Sequence, residues 1–465
     1  MLLRIISKEI VHNILSFRFV ATYSLLFSLI LLVLFLMAND YRTRVQEYGL
    51  ATNQERTQIR TLEKTEDLNQ QSRQFHETTF SGTRPPQDLS ILARGLEGSL
   101  PTTVSSCGPL YHNSEDRLGK NLLFEVFRTP DFVYIINIVM SLLALLFVFD
   151  SICGEKEQGT LKILLSNSVP RDLVLAGKWI GGYLSVVAPF SVAVLGGFTY
   201  IYITGALTSG GDALIRFALI FALSLLYIST FFTLGLLIST LTHRSSTALL
   251  ISLLVWICWI LVIPNLAPVI ARLSVPLPSR QIIDEEKQAI EQESEILVES
   301  MNKRGLTATK SERDKDKIRH RGKRAQHSLE EFYQRKLKSQ VSLGQNLARL
   351  SPSACFLFAC TRLAGTGPRL SELFHQAQER FHSSHQQYRD ELEGKWITIK
   401  TAGKLDWEYE YKKRFDAHDL PRFHLVQENM GDRFDAAQFD VLLLVIYNVL
   451  FFMLAYLAFL RYDVT

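Results

Sequence analysis

Long apolar runs alternate with polar segments along the whole chain. Five of these runs hold no ionisable side chain, and a sixth begins just after Arg18. A helix needs about 20 apolar residues to cross a bilayer, because each residue advances roughly 1.5 Å. The pattern therefore predicts an all-α integral membrane protein with six transmembrane helices and two large, mainly helical extracytoplasmic insertions. The predicted spans are TM1 at 19–38, TM2 at 131–149, TM3 at 180–207, TM4 at 215–241, TM5 at 246–270 and TM6 at 440–460.

The polar segments between the spans define the rest of the organisation. Residues 2–17 have apolar side chains near helical spacing, which favours an amphipathic interface helix; the alternative is the frayed start of TM1. We expect TM1 to be a retained signal anchor, since no small-residue cleavage site follows it. The predicted segments are an interface helix at 1–18, a first extracytoplasmic segment at 39–130, a coupling segment at 150–179, a helical extracytoplasmic domain at 271–439 and a tail at 461–465.

The distribution of charge predicts the orientation of the chain in the membrane. The net charge of +4 is small for 465 residues, so the positions of Lys and Arg carry more information. Alternating spans place both termini, 150–179 and the short 242–245 turn on one side, which is rich in Lys and Arg. The short loop 208–214 on the other side has neither. The positive-inside rule therefore predicts a multi-pass protein of the cell inner (cytoplasmic) membrane with both termini in the cytoplasm.

The second insertion begins with two segments of opposite charge. Residues 279–303 are mainly acidic and 310–324 mainly basic, with a break at 305–309. We expect two antiparallel helices that project roughly 35 Å from the membrane. The alternative is a solvated, partly disordered segment, because apolar residues are few. Helices are also expected at 40–76 and 370–396, beside which the hairpin would lean.

Two smaller features of the insertions have competing interpretations. The apolar stretch 350–364 is too short to span a bilayer, so it should rest on the outer membrane surface or form a small core. His382 and His385 share a helical face, yet a solvated face explains them better than a metal site. A disulfide between Cys107 and one of the cysteines at 355 and 360 is left open.

The sequence excludes several classes of function. Ion-coupled carriers need ionisable groups inside their spans, and the five runs have none. No phosphate-binding Gly-x-x-x-x-Gly-Lys-Ser/Thr loop is present, so no cofactor is expected and any ATP would be bound by a partner subunit. The basic run 310–324 lies outside the cytoplasm, which argues against nucleic acid. We therefore predict no catalytic residues, no metal site and no enzymatic activity in this chain.

The segment 150–178 is the most informative polar interruption. A short helix at 160–166 follows a glycine turn and carries leucines on one face, and Pro170 redirects the chain before the next span. Such a helix suits insertion into a groove on a partner protein. An interfacial helix that lies on membrane lipid fits the spacing equally well.

The residues of this segment resemble the coupling segment of type-2 ABC transporter permeases, the ABC-2 superfamily. Further motifs resemble a subgroup with an enlarged external domain, near the multicopper-enzyme-maturation type permeases. The motifs that carry the resemblance are Gly154-Glu155-Lys156-Glu157-x-Gly159-Thr160-Leu161, Pro170-Arg171, Gly177-Lys178, Lys8-Glu9-Ile10, Arg84-Pro85-Pro86, Pro130-Asp131-Phe132, Leu350-Ser351-Pro352-Ser353 and Pro421-Arg422-Phe423.

The resemblance implies a dimer of permeases, each docked on a separate cytoplasmic ABC ATPase. The second permease would be the same chain or a different one, and a pathway between the subunits would be lined by TM2 and TM5. The residues implied in ATPase coupling are Gly154, Glu155, Lys156, Glu157, Gly159, Thr160, Leu161, Leu164, Leu165, Pro170 and Arg171.

We therefore expect the membrane-spanning permease subunit of an ATP-driven ABC transporter, working in export. The alternative is a non-transporting membrane scaffold or receptor whose extracytoplasmic helical domain binds a protein partner. The cargo is not readable from the sequence, because the family does not determine it.

Overall fold

The computed structural model describes residues 2–65, 71, 74–75, 78–106, 131–166, 170–205, 211–303, 308–392, 395–401, 404–410 and 415–461. Cys107 and Tyr411 lie outside these residues, as does most of the break expected at 305–309. Cys355 and Cys360 are free thiols. The helices that reach or flank the membrane region are α1 (Leu2–Ile14), α2 (Phe17–Glu63), α3 (Phe132–Ile135, a π-helical turn Ile136–Met140 and Ser141–Val148), α4 (Cys153–Glu157), α5 (Thr160–Ser166), α6 (Arg171–Ile203), α7 (Gly211–Leu241) and α8 (Ser245–Ser274).

The second half of the chain continues with α9 (Arg280–Lys303), α10 (Ala308–Ala348), α11 (Pro352–Ala364), α12 (Pro368–Leu392) and α13 (Met430–Leu460). Within the described residues, six helices are long and apolar enough to cross a membrane: α2, the helix that begins with α3, α6, α7, α8 and α13. The predicted fold class, an all-α integral membrane protein with six spans, is confirmed.

The spans form a bundle with two distinct ends. Residues 150–166, Pro170, the turn at 242–245, α1 and the last turn of α13 lie together, and we call this the coupling end. The opposite end carries the two insertions, and we call it the insertion end. α2 does not stop at the bilayer: its 47 residues form one helix about 70 Å long, so the first span continues into the helix expected at 40–76, but that helix ends at Glu63.

Polar side chains inside the bundle tie three spans together. The hydroxyl of Tyr227 in α7 donates to the carbonyl and side-chain oxygens of Asn137, at 2.9 and 2.7 Å. Trp256 Nε1 in α8 donates to Ser141 Oγ at 2.9 Å. Asn137 lies in the π-helical turn of α3, so the network includes a residue of the segment that departs from regular α-helix.

The short helix α11 is buried in the bundle itself. Phe356 stacks on Tyr227 with ring centroids 4.3 Å apart, and Cys355 and Leu363 belong to the same core. Ser351 caps its start, and Gly365 ends it in a left-handed conformation. Neither sequence-based interpretation of 350–364 is right, because the apolar helix packs between α7 and α13 instead of on the membrane surface or in a separate core.

The expected helical hairpin is present, with a longer second arm. α10 has 41 residues and returns to the bundle, whereas α9 has 24. In the ion pairs described between the two arms, the acidic residue belongs to the mainly basic arm and the basic residues belong to the mainly acidic arm. Glu330 of α10 accepts hydrogen bonds from Arg280 and Lys287 of α9. Burial raises the pKa of Glu330, but hydrogen bonds from Arg280, Lys287 and Gln334 outweigh this and lower it to about 2.

The end of the second insertion differs from the expected helix at 370–396. α12 ends at Leu392, and two antiparallel strands follow: β3 (Lys395–Thr401) and β4 (Lys404–Glu410). Charged residues of β4 alternate with Leu405, Trp407 and Tyr409, and β3 is rich in Trp, Ile and Thr; both patterns are typical of strands. A smaller pair, β1 (Ser81–Thr83) and β2 (Thr103–Ser105), lies in the first insertion.

His385 does not lie on a solvated face. Its side chain is buried, stacks on Phe80 at 5.6 Å and meets Phe381 edge-on at 4.5 Å. The aromatic side chains of Phe75, Phe80, Tyr388 and Phe415 form this core with aliphatic residues from the end of α2, so α12 turns inward the face that carries His385. The described residues contain no group of three or more potential metal ligands.

Candidate functional site at the coupling end

The polar segment between the second and third spans folds into two short helices. Gly159 joins α4 to α5 with a φ of 71°, a left-handed conformation that other residues adopt at a cost of about 1 kcal/mol or more. Its backbone N–H donates to the Lys156 carbonyl at 3.2 Å. The turn therefore fixes the angle between α4 and α5.

Both short helices are anchored to the bundle. The backbone N–H groups of Ile152 and Cys153 donate to Ser239 Oγ of α7, at 3.0 and 3.1 Å. Leu161 of α5 is 0% exposed and belongs to the main core. The sequence placed Leu161 on an exposed apolar stripe, but α5 turns this residue into the bundle. α5 also contains Leu164 and Leu165, whose side chains lie outside the described part of the structure.

Two adjacent side chains of α4 bind the facing ends of two spans. Lys156 Nζ donates to the carbonyl of Thr240 and, at 3.1 Å, to that of Thr242, where α7 ends. Glu157 Oε2 accepts from the backbone N–H of Ser245 at 3.0 Å, where α8 begins. Helix ends leave carbonyls unpaired at the C-terminus and N–H groups at the N-terminus. Each charge therefore matches the dipole of the helix end that it binds.

The third charged side chain of α4 reaches two other helices. Lys178 Nζ of α6 lies 2.8 Å from Glu155 Oε1 and 2.9 Å from Glu9 Oε1 of α1. α1 reaches this position because it packs closely on α6: a Cβ at Gly181 would lie 2.8 Å from the Cβ of Glu9. Lys178 is 5% exposed, so the two carboxylates supply the partners that a buried ammonium requires.

The remaining predicted site residues lie where α6 begins. Pro170 precedes its first residue, Arg171. Arg171 Nη1 donates to the carbonyl of Leu460, the last residue of α13, at 2.8 Å. Gly154 lies inside α4, where a Cβ would meet Ser245 Oγ at 3.7 Å. α4, α5 and the start of α6 thus contact α1, α7, α8 and α13.

One side of this assembly faces outward. Gln158, Gly159 and Thr160 are exposed at the turn, and Ile163 on α5 is 67% exposed. These exposed residues stand on a base that Glu155, Lys156, Glu157 and Leu161 attach to the spans. Such a surface suits docking of a protein partner and offers no catalytic group.

Sequence reasoning found the residues of α4 but missed their partners. Glu9 and Lys178 each lie in a motif, but the motifs do not indicate that the two side chains meet, and no pattern marks Ser239 or the carbonyls of α7 as partners of α4. The available signal was Lys178 itself, because an ionisable residue next to an apolar run needs a partner. Glu9 lies on the polar face of the amphipathic α1, so it was a candidate for that partner.

The six spans, the anchored polar segment and the two insertions define a multi-pass membrane protein of the transporter class. A family model described as "ABC-2 family transporter protein" matches residues 3–464, so the chain belongs to this family of ABC transporter permeases. Such permeases are generally non-enzymatic and leave ATP hydrolysis to a partner. No curated protein matches the chain.

Proposed function

We propose that this permease subunit couples a separate cytoplasmic ATPase to movements of its spans and its insertions, and that it works in export. One observation carries the proposal: the three charged residues of α4 each bind a different part of the bundle. Glu155 binds α6 and, through Lys178, α1; Lys156 binds the end of α7, and Glu157 the start of α8. A push on α4 would therefore move four helices together.

The proposal places the coupling end in the cytoplasm of a cell inner membrane, with both termini on that side. The Lys and Arg residues of this end support the orientation through the positive-inside rule. The exposed turn at 158–160 and Ile163 would contact the ATPase. A second permease, the same chain or a different one, would complete the pathway, as is general in this family.

The turn at Gly159 allows a sharp test. Proline cannot adopt a φ near 71°, and Gly159→Pro also removes the hydrogen bond to the Lys156 carbonyl. The chain offers a matched control at the insertion end. Gly205 has a φ of 65°, its N–H donates to the carbonyl three residues earlier, and a Cβ at either glycine meets nothing within 4 Å. Gly159→Pro and Gly205→Pro thus make the same change at opposite ends.

The measurement is ATPase recovery with the tagged chain, followed by ATP-driven transport in vesicles. We expect wild type and Gly205→Pro to recover an ATP-hydrolysing partner, and Gly159→Pro to lose it or to lose transport. Equal recovery and equal transport in the two variants would contradict the assignment of the coupling end. Failure of every form to recover an ATPase would favour a scaffold or receptor.

An extracytoplasmic protein partner is a second element of the proposal. Ile296 and Leu297, adjacent residues near the far end of α9, are 65% and 46% exposed, and exposed apolar surface of this kind is where a partner would bind. Replacing both by Ser should leave ATPase recovery unchanged and reduce transport if a partner binds there. Unchanged transport would remove the hairpin tip from the mechanism.

A further inference from the structure

A cavity of about 720 Å³ opens at the insertion end, away from the coupling end. Its walls come from α10, α12, the segment 425–428 and the first turns of α13. Its volume lies in the range of small-molecule binding sites. Polar residues line one side of the cavity and apolar residues line the other, so a ligand that fits has a polar part and an apolar part.

Arg433 forms the polar floor of the cavity. It is 6% exposed, and neither Nε nor Nη1 has a hydrogen-bond partner among the described residues. The guanidinium lies against Gly365, where a Cβ would come within 2.6 Å of Nη1. Leaving a buried charged donor unpaired is costly, and an anion in the cavity would supply the acceptor.

The neighbouring arginines already have partners. Arg362 binds Asp440, and Arg369 lies close to Glu372 and Glu428. Arg216, whose charge acts on Arg433, lies 3.7 Å from Asp88. At the exposed rim, the cavity has Lys338 and Glu379, and His375 lies in the wall. Each of these arginines therefore has a carboxylate within ion-pair distance, whereas the described carboxylates that act on Arg433, Glu428 and Asp88, do so without a described ion pair.

The opposite wall is apolar, formed by Leu337, Val341, Leu370, Leu373 and Leu425. A ligand that fills the cavity therefore combines an anionic group with an apolar part. Arg433 precedes the apolar run that begins at Val441 by eight residues, or about 12 Å of helix. This level lies just beyond the headgroup layer of a bilayer, so a lipid that has risen partly out of the membrane reaches it.

We propose that this cavity binds a phosphate ester through Arg433, and that the ester is a phospholipid whose acyl chains contact the leucine wall. The phosphate contacts the guanidinium of Arg433, which lines the cavity, in a charge-assisted interaction. This site does not involve the coupling end, so the test of phospholipid binding is independent of the test of ATPase docking.

The test uses the full chain in neutral maltoside micelles and phosphate-free buffer. Calorimetric titration compares dioctanoyl phosphatidylglycerol, dioctanoylglycerol and glycerol 3-phosphate. We expect phosphatidylglycerol to bind at least about tenfold more tightly than either fragment, since each lacks one half of the contacts. Arg433→Gln should weaken phosphatidylglycerol binding at least about tenfold and leave dioctanoylglycerol unchanged. Arg433→Lys keeps the charge and should keep most of the affinity.

Arg335→Gln is the matched control, because it removes the same charge from the exposed face of α10 outside the cavity. Equal binding of phosphatidylglycerol and dioctanoylglycerol to wild type would overturn the proposal, as would wild-type affinity in Arg433→Gln. Tight binding of glycerol 3-phosphate that requires Arg433 would uphold the phosphate site and assign it to a soluble ester in place of a lipid. If Arg433→Gln does not fold, the wild-type ligand series and Arg433→Lys still decide.

Discussion

Lys178 Nζ lies 2.8 Å from Glu155 Oε1, so the third span is tied to the polar helix that precedes it by 23 positions. The same ammonium binds Glu9 of the amino-terminal helix. A buried cation shared between two carboxylates is stable only while both partners are in place. The coupling end is therefore one charged cluster, and α1 belongs to it.

Lys178→Met should destabilise the protein by about 3–5 kcal/mol, because it leaves two carboxylates facing each other without a counter-charge. Thermal unfolding followed by tryptophan fluorescence measures the loss. Lys162→Met is the control, since Lys162 lies exposed on α5 and its removal should change stability by less than about 0.5 kcal/mol. Adding Glu9→Gln and Glu155→Gln to Lys178→Met should restore part of the stability. Equal melting temperatures for the two lysine variants would contradict the shared cluster.

Glu157→Gln should loosen the start of α8 with little effect on the overall fold. The carboxylate of Glu157 accepts from Ser245 N–H on an exposed surface, so its contribution is local. We expect faster hydrogen exchange at 244–248 and a several-fold loss of ATP-driven transport. Gln158→Ala, one position along and also exposed, should leave the exchange at 244–248 unchanged. Loss of transport without faster exchange would indicate that Glu157 contacts the ATPase directly.

Asp440→Asn should weaken the contact between the last span, α13, and the ends of α10 and α11. Asp440 is 0% exposed and binds Arg349 Nε at 2.6 Å and Arg362 Nη1 at 2.9 Å, at the ends of α10 and α11. Removing the charge leaves two guanidinium groups without their anion, a loss of about 3–5 kcal/mol. Asp435→Asn, on the exposed side of the same helix, should be nearly neutral. Chemical unfolding of both variants checks the difference, and equal stabilities would show that Asp440 is dispensable.

The spans and the residues of α4 could be predicted because their signals are local. Apolar length alone identifies a span, and the Gly-Glu-Lys-Glu motif lies in one contiguous segment. The partners of that motif could not be predicted, because Thr240 and Ser245 lie more than 80 positions away and bind partly through their backbones. A sequence pattern holds no information about which carbonyl a lysine will reach.

Two predictions about the second insertion were wrong, the helix at 395–396 and the solvated face of His385, and only the first could have been avoided from the sequence. Lys395–Thr401 is rich in Trp, Ile and Thr, which are typical of strands, yet the predicted helix reaches 396, two residues into the strand. The neighbours of His385 in sequence are polar, whereas the aromatic rings that contact it are Phe381 of α12 and Phe80, which is about 300 positions away. Tertiary contacts decide the environment of a single side chain, so the burial of His385 could not be predicted from its neighbours in sequence.

The burial of His385 makes the stability of the insertion depend on pH. Burial lowers the pKa of His385 to about 4; a hydrogen bond involving the backbone of Pro421 opposes this, and the charges of Arg389 and His382 add to it. The folded pKa lies below the usual 6.5, so the unfolded chain binds the proton more tightly. Stability from this residue is therefore complete above about pH 6.5 and is lost as the pH falls through 4. The loss should be roughly 2 kcal/mol once solvent screening is allowed for.

His385→Phe keeps an aromatic ring between Phe80 and Phe381 and removes the titration. We expect its melting temperature to change less between pH 7 and pH 4.5 than that of wild type. His418→Gln, at an exposed position, should follow the wild-type profile. Below about pH 4.5 all three should lose further stability, because the pKa of Glu330 is lowered to about 2 and its ion pairs with α9 break as the carboxylate is protonated. A wild-type profile in His385→Phe would assign the pH dependence to other groups.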